Sequence, residues 1–260
     1  MTLDACADLV RSHDPDRFGA VLVAQPQDRP ALITLYALNL EIARAPFQSG
    51  EPLLAEMRLQ WWIDRLAEMA AGRPPPLHDV LTPLWDSWGD AAGDLVPLAE
   101  ARRRDCAREP FDNPDAVVAY VAGTSGRLMV QAAARLGAQG AALDVAADQG
   151  LGAGLAAWLR ALPRLQPLGL GLAKTDAAAA VTLAGMARDA LDRAARSRRL
   201  LPKRATAALY PGPGVSRFLA DVRSNKMNIF QETVDVTPFQ RRASLAHLAL
   251  TGRWWRQGGH

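Results

Sequence analysis

The chain has few of the residues that usually announce a function. It holds two cysteines, Cys6 and Cys106, far apart and in no ligand-like spacing. That excludes a disulfide framework and a cysteine-based metal motif, and it fits a reducing cytoplasm. The histidines His13, His78, His247 and His260 show no mutual spacing for metal ligation or a catalytic triad. No apolar run reaches the roughly 18 to 20 residues that span a bilayer. The N-terminus, MTLDACADLV, carries acids and lacks an apolar signal core, so neither a secretory signal nor a transit peptide is expected. No stretch alternates with period two, which leaves essentially no sheet.

What is present is a hydrophobic content of 49%, ample for a core, and a modest net charge of +3. Arginines cluster at Arg102 to Arg104, Arg196 to Arg199, Arg241-Arg242 and Arg253/Arg256. Such runs read as solvated helix faces or as patches that attract anionic membranes, acidic proteins or nucleic acid, and no nucleic-acid motif accompanies them.

The chain is organised around residues 32–65. Leu32, Leu35, Tyr36, Leu38, Asn39 and Ile42 recur at spacings of three and four, then Leu54, Met57, Trp61 and partly Trp62 repeat the pattern. Each set puts an apolar stripe on a helix. Glu41, Arg44, Arg58, Asp64 and Arg65 stand among these apolar residues. A buried Glu41–Arg58 pair between the two helices is expected, because a charge buried alone is costly.

Further helices follow from local signals. Asp14-Pro15 caps a helix to about Ala24, the central pair ends near Gly72, and a shorter helix holds Val80 to Trp88. Asp94 to Arg108 is amphipathic. Asn113-Pro114 opens a long helix to about Leu136, with Gly123 and Gly126 forcing close packing or a kink. Ala141–Leu162 is a helix, Leu165–Ala173 a loop, and Asp176 caps the next helix. Arg204–Tyr210, Val215–Phe230 and Pro238–Trp255 complete the series. Trp61, Trp62, Trp85, Trp88 and Trp158 read as core or groove packing. Ser125, within GTSG, sits inside an expected helix with no strand before it, which argues against a nucleophile turn.

YALNLEIA at 36–43, EPLLAEMRLQWW at 51–62, YVAGTSG at 120–126 and LLPKRATAALY at 200–210 are together similar to the squalene/phytoene synthase family. Its all-helical enzymes join isoprenoid diphosphates head to head. The resemblance implies an all-α, isoprenoid-synthase-like bundle of about ten helices around a central cavity, one domain over residues 1–260. Active members hold magnesium through two pairs of Asp, each pair four residues apart. Here those positions fall on Ala43 and Phe47, and on Ala161 and Leu165, with Ala157 where an Asn is usual and only Arg160 kept. Pro46 and Pro163 stand inside both segments, so both helices are expected to kink or end there.

Two functional classes follow. A branch of the family that lost its Asp motifs includes a mitochondrial complex I assembly factor, and Asn39-Leu-Glu41-Ile-Ala43 with Arg58-Leu-Gln60-Trp-Trp62 resembles it. That implies a non-catalytic binding role, with no cofactor, no magnesium, and a respiratory complex I subunit or assembly protein as partner. The alternative is a diverged prenyl transferase using other residues. The ligand-pocket candidates are Asn39, Glu41, Arg44, Arg58, Trp62, Tyr120, Arg127 and Arg160, for an isoprenoid or lipid ligand. Pro238–Trp255 mixes leucine, tryptophan and arginine without an acid. It reads either as a final core helix or as contact with the membrane surface. The expected location is cytoplasmic, peripheral to the inner membrane in the second case.

Overall fold

A computed structural model of the chain describes residues 3–255; Arg256 and His260 lie outside the described residues. The fold is all-α and isoprenoid-synthase-like. The chain divides into two compact units, Met1–Ala107 and Arg108–His260.

The first unit contains α1 (Leu3–His13), α2 (Pro15–Val23), α3 (Arg29–Arg44), α4 (Pro52–Ala70), α5 (Leu81–Trp88), α6 (Val96–Glu100) and α7 (Arg103–Ala107). The Asp14 carboxylate caps α2 by accepting from the Arg17 amide at 3.0 Å, with Pro15 in the first turn. α1 was not foreseen: it buries only Cys6 and Val10, too little periodicity to read. α3 is the core helix, buried from Ala31 through Asn39 and again at Ile42. It ends at Arg44 and passes into a tighter 3-10 turn, Ala45–Phe47. Pro46 has no N–H to continue the ladder, so this half of the expectation holds.

α4 corrects the apolar stripe. Its buried face is Ala55, Leu59, Trp62, Ile63, Leu66 and Met69, whereas Leu54, Met57 and Trp61 are exposed. Both sets obey helical spacing, and the longer one, running the length of the helix, takes the core.

The second unit contains α8 (Pro114–Val121), α9 (Arg127–Arg135), α10 (Ala141–Leu165), α11 (Ala177–Arg196), α12 (Val215–Arg223) and α13 (Pro238–Thr251). The long helix expected from Pro114 is interrupted by a π-helical turn at Ala122–Gly126. There the Thr124 hydroxyl donates to the Tyr120 carbonyl at 2.8 Å, and the wider turn packs on α10. α10 lays Gly152 against α11, whose inner face is Ala180, Leu183, Ala184, Ala187, Ala190 and Ala194. The segment after α10 is a 3-10 turn, Gln166–Leu168, followed by one parallel bridge, Phe111 to Leu172. The Gln166 amide clamps that bridge, donating to the Leu172 carbonyl at 2.7 Å and accepting from its N–H at 3.1 Å.

One helix type and two helix ends differ from expectation. Residues 203–209 form a 3-10 helix. α12 stops at Arg223 before Asn225, whose φ is +49°. α13 stops at Thr251, capped by Gly252 at a φ of +65°, short of Trp254 and Trp255.

Pro163 departs from expectation more informatively. α10 runs through it to Leu165, because a proline in the last turn removes a single bond, to the Leu159 carbonyl, while α10 stays packed. Replacing Pro163 with alanine restores that bond and is expected to raise stability by ~1–2 kcal/mol. A higher urea midpoint at unchanged slope is the reading to look for.

Candidate functional site

The sequence-derived candidates fall in both units. In the first, Asn39 and Trp62 are buried, Glu41 and Arg44 are half-buried, and Arg58 is exposed. Glu41 pairs with Arg44 one turn along its own helix, at 3.4 Å. Arg58 reaches Gln48 at 3.5 Å, the outer limit of a hydrogen bond. The expected Glu41–Arg58 pair is therefore not among the described ion pairs. A partner three residues away on one helix needs no second helix to be ordered, and Arg58 lies on the solvent side of α4.

The adjacent tryptophans are a structural clamp. Trp61 and Trp62 meet edge-on at 5.1 Å, and the His78 ring lies 5.5 and 5.2 Å from them. His78 Nδ1 accepts from the Val80 amide at 3.1 Å, which fixes the entry to α5. Arg65 sits over Trp61 at 6.0 Å, a weak cation–π contact at a partly exposed site.

Arg103 does more than its place in a basic run suggested. Its guanidinium donates to Glu100 at 2.5 Å, to Glu56 at 2.9 Å, and to Gln60, tying α7 to α4. The hydrogen bond it donates to the Glu100 carboxylate chiefly raises its pKa further above the usual arginine range, against the opposing effect of burial.

Cys6 gives the first unit a measurable signature. Its thiol donates to the Asp79 carbonyl at 3.3 Å. Burial first, then the charges of Asp79 and Glu41, push it up from 9.0 to about 11. Folding thus favours the protonated thiol. That stability is complete below pH 9.0 and is lost as pH rises to about 11, at about 1.4 kcal/mol per pH unit. Tyr36, raised by burial from 10.0 to about 12, extends the loss upward. A Cys6→Ala variant should show a flatter decline between pH 9 and 11 in thermal midpoint against pH.

In the second unit Tyr120 packs on Phe111 at 5.3 Å, and Phe111 meets Trp158 edge-on at 5.9 Å. Arg127 is exposed and joins neither. Arg160 is half-buried on α10; its Nη2 donates to the Pro213 carbonyl at 2.8 Å and its guanidinium lies 4.8 Å above the Phe218 ring.

Arg160 opens onto a cavity of about 570 Å³ bounded by α12, α13 and the 227–236 segment. Phe218, Met227, Val234 and Val236 supply apolar wall. Gln240, Ser244 and His247, one face of α13, supply polar wall. Nothing in the sequence reading singled these three out, although their spacing of four and three was legible.

The four positions where the resemblance places metal-binding aspartates carry no side-chain oxygen. Ala43, Ala161 and Leu165 are half-buried and Phe47 is 39% exposed. Among the described residues no three His, Cys, Asp or Glu side chains gather as a metal site. None of the described helices is long and apolar enough to cross a membrane.

These elements can be compared with known proteins. The human protein "NADH dehydrogenase (ubiquinone) complex I, assembly factor 6" is 23% identical over 168 residues, 61% of this chain. The chain spans about half the length of that relative, 48%. A dehydrosqualene synthase crystallised with a ligand superposes with a TM-score of 0.76 at 12% identity, covering 95% of this chain and 94% of that one. Squalene synthase HpnC from Alicyclobacillus acidocaldarius superposes at 0.66 with 15% identity, over 96% and 94%. At such identities the likeness establishes the fold. The family model for squalene/phytoene synthase matches residues 10–172, more than half of the sequence, and the chain belongs to that family.

Proposed function

We propose that this family member does not carry out prenyl-diphosphate condensation and acts by binding, in the assembly of respiratory complex I. The observation that carries the reading is the replacement of four metal-binding carboxylates by Ala43, Phe47, Ala161 and Leu165. Magnesium takes hard oxygen ligands and does not fit four hydrocarbon side chains. The relationship to a complex I assembly factor supplies the setting.

A peripheral place at the inner membrane is part of the proposal. α13 buries only Leu248 and leaves Phe239 80% and Leu250 86% exposed, with Arg242 and Arg253 exposed nearby. Apolar side chains interleaved with arginine suit an anionic bilayer surface.

The test is a strain lacking the chain, assayed for assembled complex I on native gels, for NADH-driven respiration and for squalene-type products. Loss of assembled complex with unchanged isoprenoid content is expected. Intact complex I with altered isoprenoids would overturn the proposal in favour of a diverged transferase.

A further inference from the structure

The outer face of α4 is apolar where a solvated helix is ordinarily polar. Leu53 is 72% exposed and Met57 60%, with Leu54 and Trp61 exposed beside them. At about 100° per residue these four fall within an arc of about 100°. Leu77, exposed next to His78, continues the patch past Trp61, whose ring lies 5.5 Å from that of His78. Single exposed leucines are ordinary, but a contiguous apolar patch marks a contact surface.

The rim of the patch narrows the kind of partner. Glu51 stands at the start of α4, and Arg58 follows two turns later on the same flank of the patch. Both are exposed. At ~1.5 Å per residue they lie about 10 Å apart along the axis, too far to neutralise each other. Among the described residues neither has an ion-pair partner; Arg58 reaches only Gln48, at 3.5 Å. Asp64 is exposed further along the helix. An anionic bilayer suits apolar residues interleaved with cations, and the carboxylates of Glu51 and Asp64 oppose it. An apolar centre with a rim of both signs suits a protein.

The order of the signs points to a particular protein. When two copies of one helix pair antiparallel about a two-fold axis, each flank faces the same flank of the other copy, with heights reversed. An axis passing level with the midpoint of Leu54 and Ala55 sets Glu51 of one copy opposite Arg58 of the other, and symmetry makes that pair twice. The same register lays Leu54 on its counterpart and Met57 of each copy beside Leu53 of the other. This face is thus its own complement in charge and in apolar content. We infer that α4 is a self-association surface on which two copies of the chain pair antiparallel, packed through Leu53, Leu54 and Met57 and held by two reciprocal Glu51–Arg58 ion pairs. This goes beyond the role proposed above and stands whether or not complex I is the setting.

The experiment is sedimentation velocity of the full chain over a concentration series reaching ~100 µM, with a dimer expected at a Kd near ~10 µM. Met57→Asp, at an exposed position, should leave the chain monomeric with its circular dichroism spectrum unaltered. Arg58→Glu and Glu51→Arg should each weaken the dimer at least ~10-fold, because each sets like charges opposite one another twice. Mixing those two variants in equal amounts should restore a dimer, since every Glu then meets an Arg across the axis. The double exchange, Glu51→Arg with Arg58→Glu, should dimerise within ~3-fold of the parent. A parent monomeric throughout the series would overturn the proposal, as would a dimer indifferent to Met57→Asp. Failure of both the mixture and the double exchange to recover the dimer would overturn it too. Flotation of a monomeric parent on phosphatidylglycerol vesicles, abolished by Met57→Asp, would overturn it in favour of a bilayer contact.

Discussion

Replacing Gly150 with leucine is expected to remove at least ~3 kcal/mol of stability and to leave little folded protein at 37 °C. A side chain at this position starts with a Cβ 2.9 Å from Gly126 Cα, 2.9 Å from the Gly126 carbonyl oxygen and 2.9 Å from Met129 Cβ. Two of those three atoms are backbone, so no rotamer change relieves the clash. α10 would have to lift from the π-helical turn. Gly154 next along the same face repeats the geometry, its Cβ falling 2.6 Å from Ser125 Cβ and Val121 Cγ1. Gly185 on α11 is the control: nothing lies within 4 Å of its would-be Cβ, so Gly185→Ala should stabilise by ~0.5–1 kcal/mol through helix propensity alone. Urea unfolding followed by circular dichroism separates the two. A Gly150→Leu midpoint within error of the parent would show that the α10 contact is far looser than these distances require.

Much of the fold was legible because helical periodicity and capping chemistry are local. Asp14, Asn113 and Asp176 each cap the helix expected of them, at 3.0, 2.9 and 2.8 Å. The interruption at Gly123 and Gly126 was visible as a weak point, though its π-helical form was not, since that depends on the fit to α10. What could not be read was the choice between two equally periodic faces. Leu54, Met57 and Trp61 space as well as Leu59, Trp62 and Leu66, and only the neighbouring helices decide which set is covered. The same limit governs the charged candidates. Glu41 had Arg44 and Arg58 as cationic partners in the sequence, and the shorter path on α3 won. Arg103, hidden in a run of three arginines, became the tie between α7 and α4. Arg160 was among the candidates and lines the cavity bounded by α12 and α13, whereas the α13 residues opposite it carried no signal strong enough to be chosen.

Incubated with farnesyl or geranylgeranyl diphosphate and magnesium, the chain is expected to release pyrophosphate at background rate. Ionising a diphosphate requires its developing charge to be neutralised, and losing ~8 kcal/mol of that stabilisation slows the step by roughly a million-fold. Placing aspartate at 43, 47, 161 and 165, where the family resemblance puts the metal-binding acids, is expected to leave the rate at background as well, for a reason in the backbone. Ala161 and Leu165 still lie one turn apart on a continuous α10, so carboxylates there would share a face. Ala43 and Phe47 do not, because α3 ends at Arg44 and the chain enters the 3-10 turn holding Pro46. Each 3-10 residue turns the chain by about 120° where an α-helical one turns it by about 100°. Position 47 therefore swings roughly 40–60° further off the face that carries 43, so a pair of acids there is poorly placed to close on one ion. Pro46→Ala added to the four aspartates is the variant in which any gain should first appear. Pyrophosphate release by the unaltered chain would show that the absence of carboxylates at these positions had not silenced the site, and release by the fourfold variant with Pro46 in place would show that the broken helix had not.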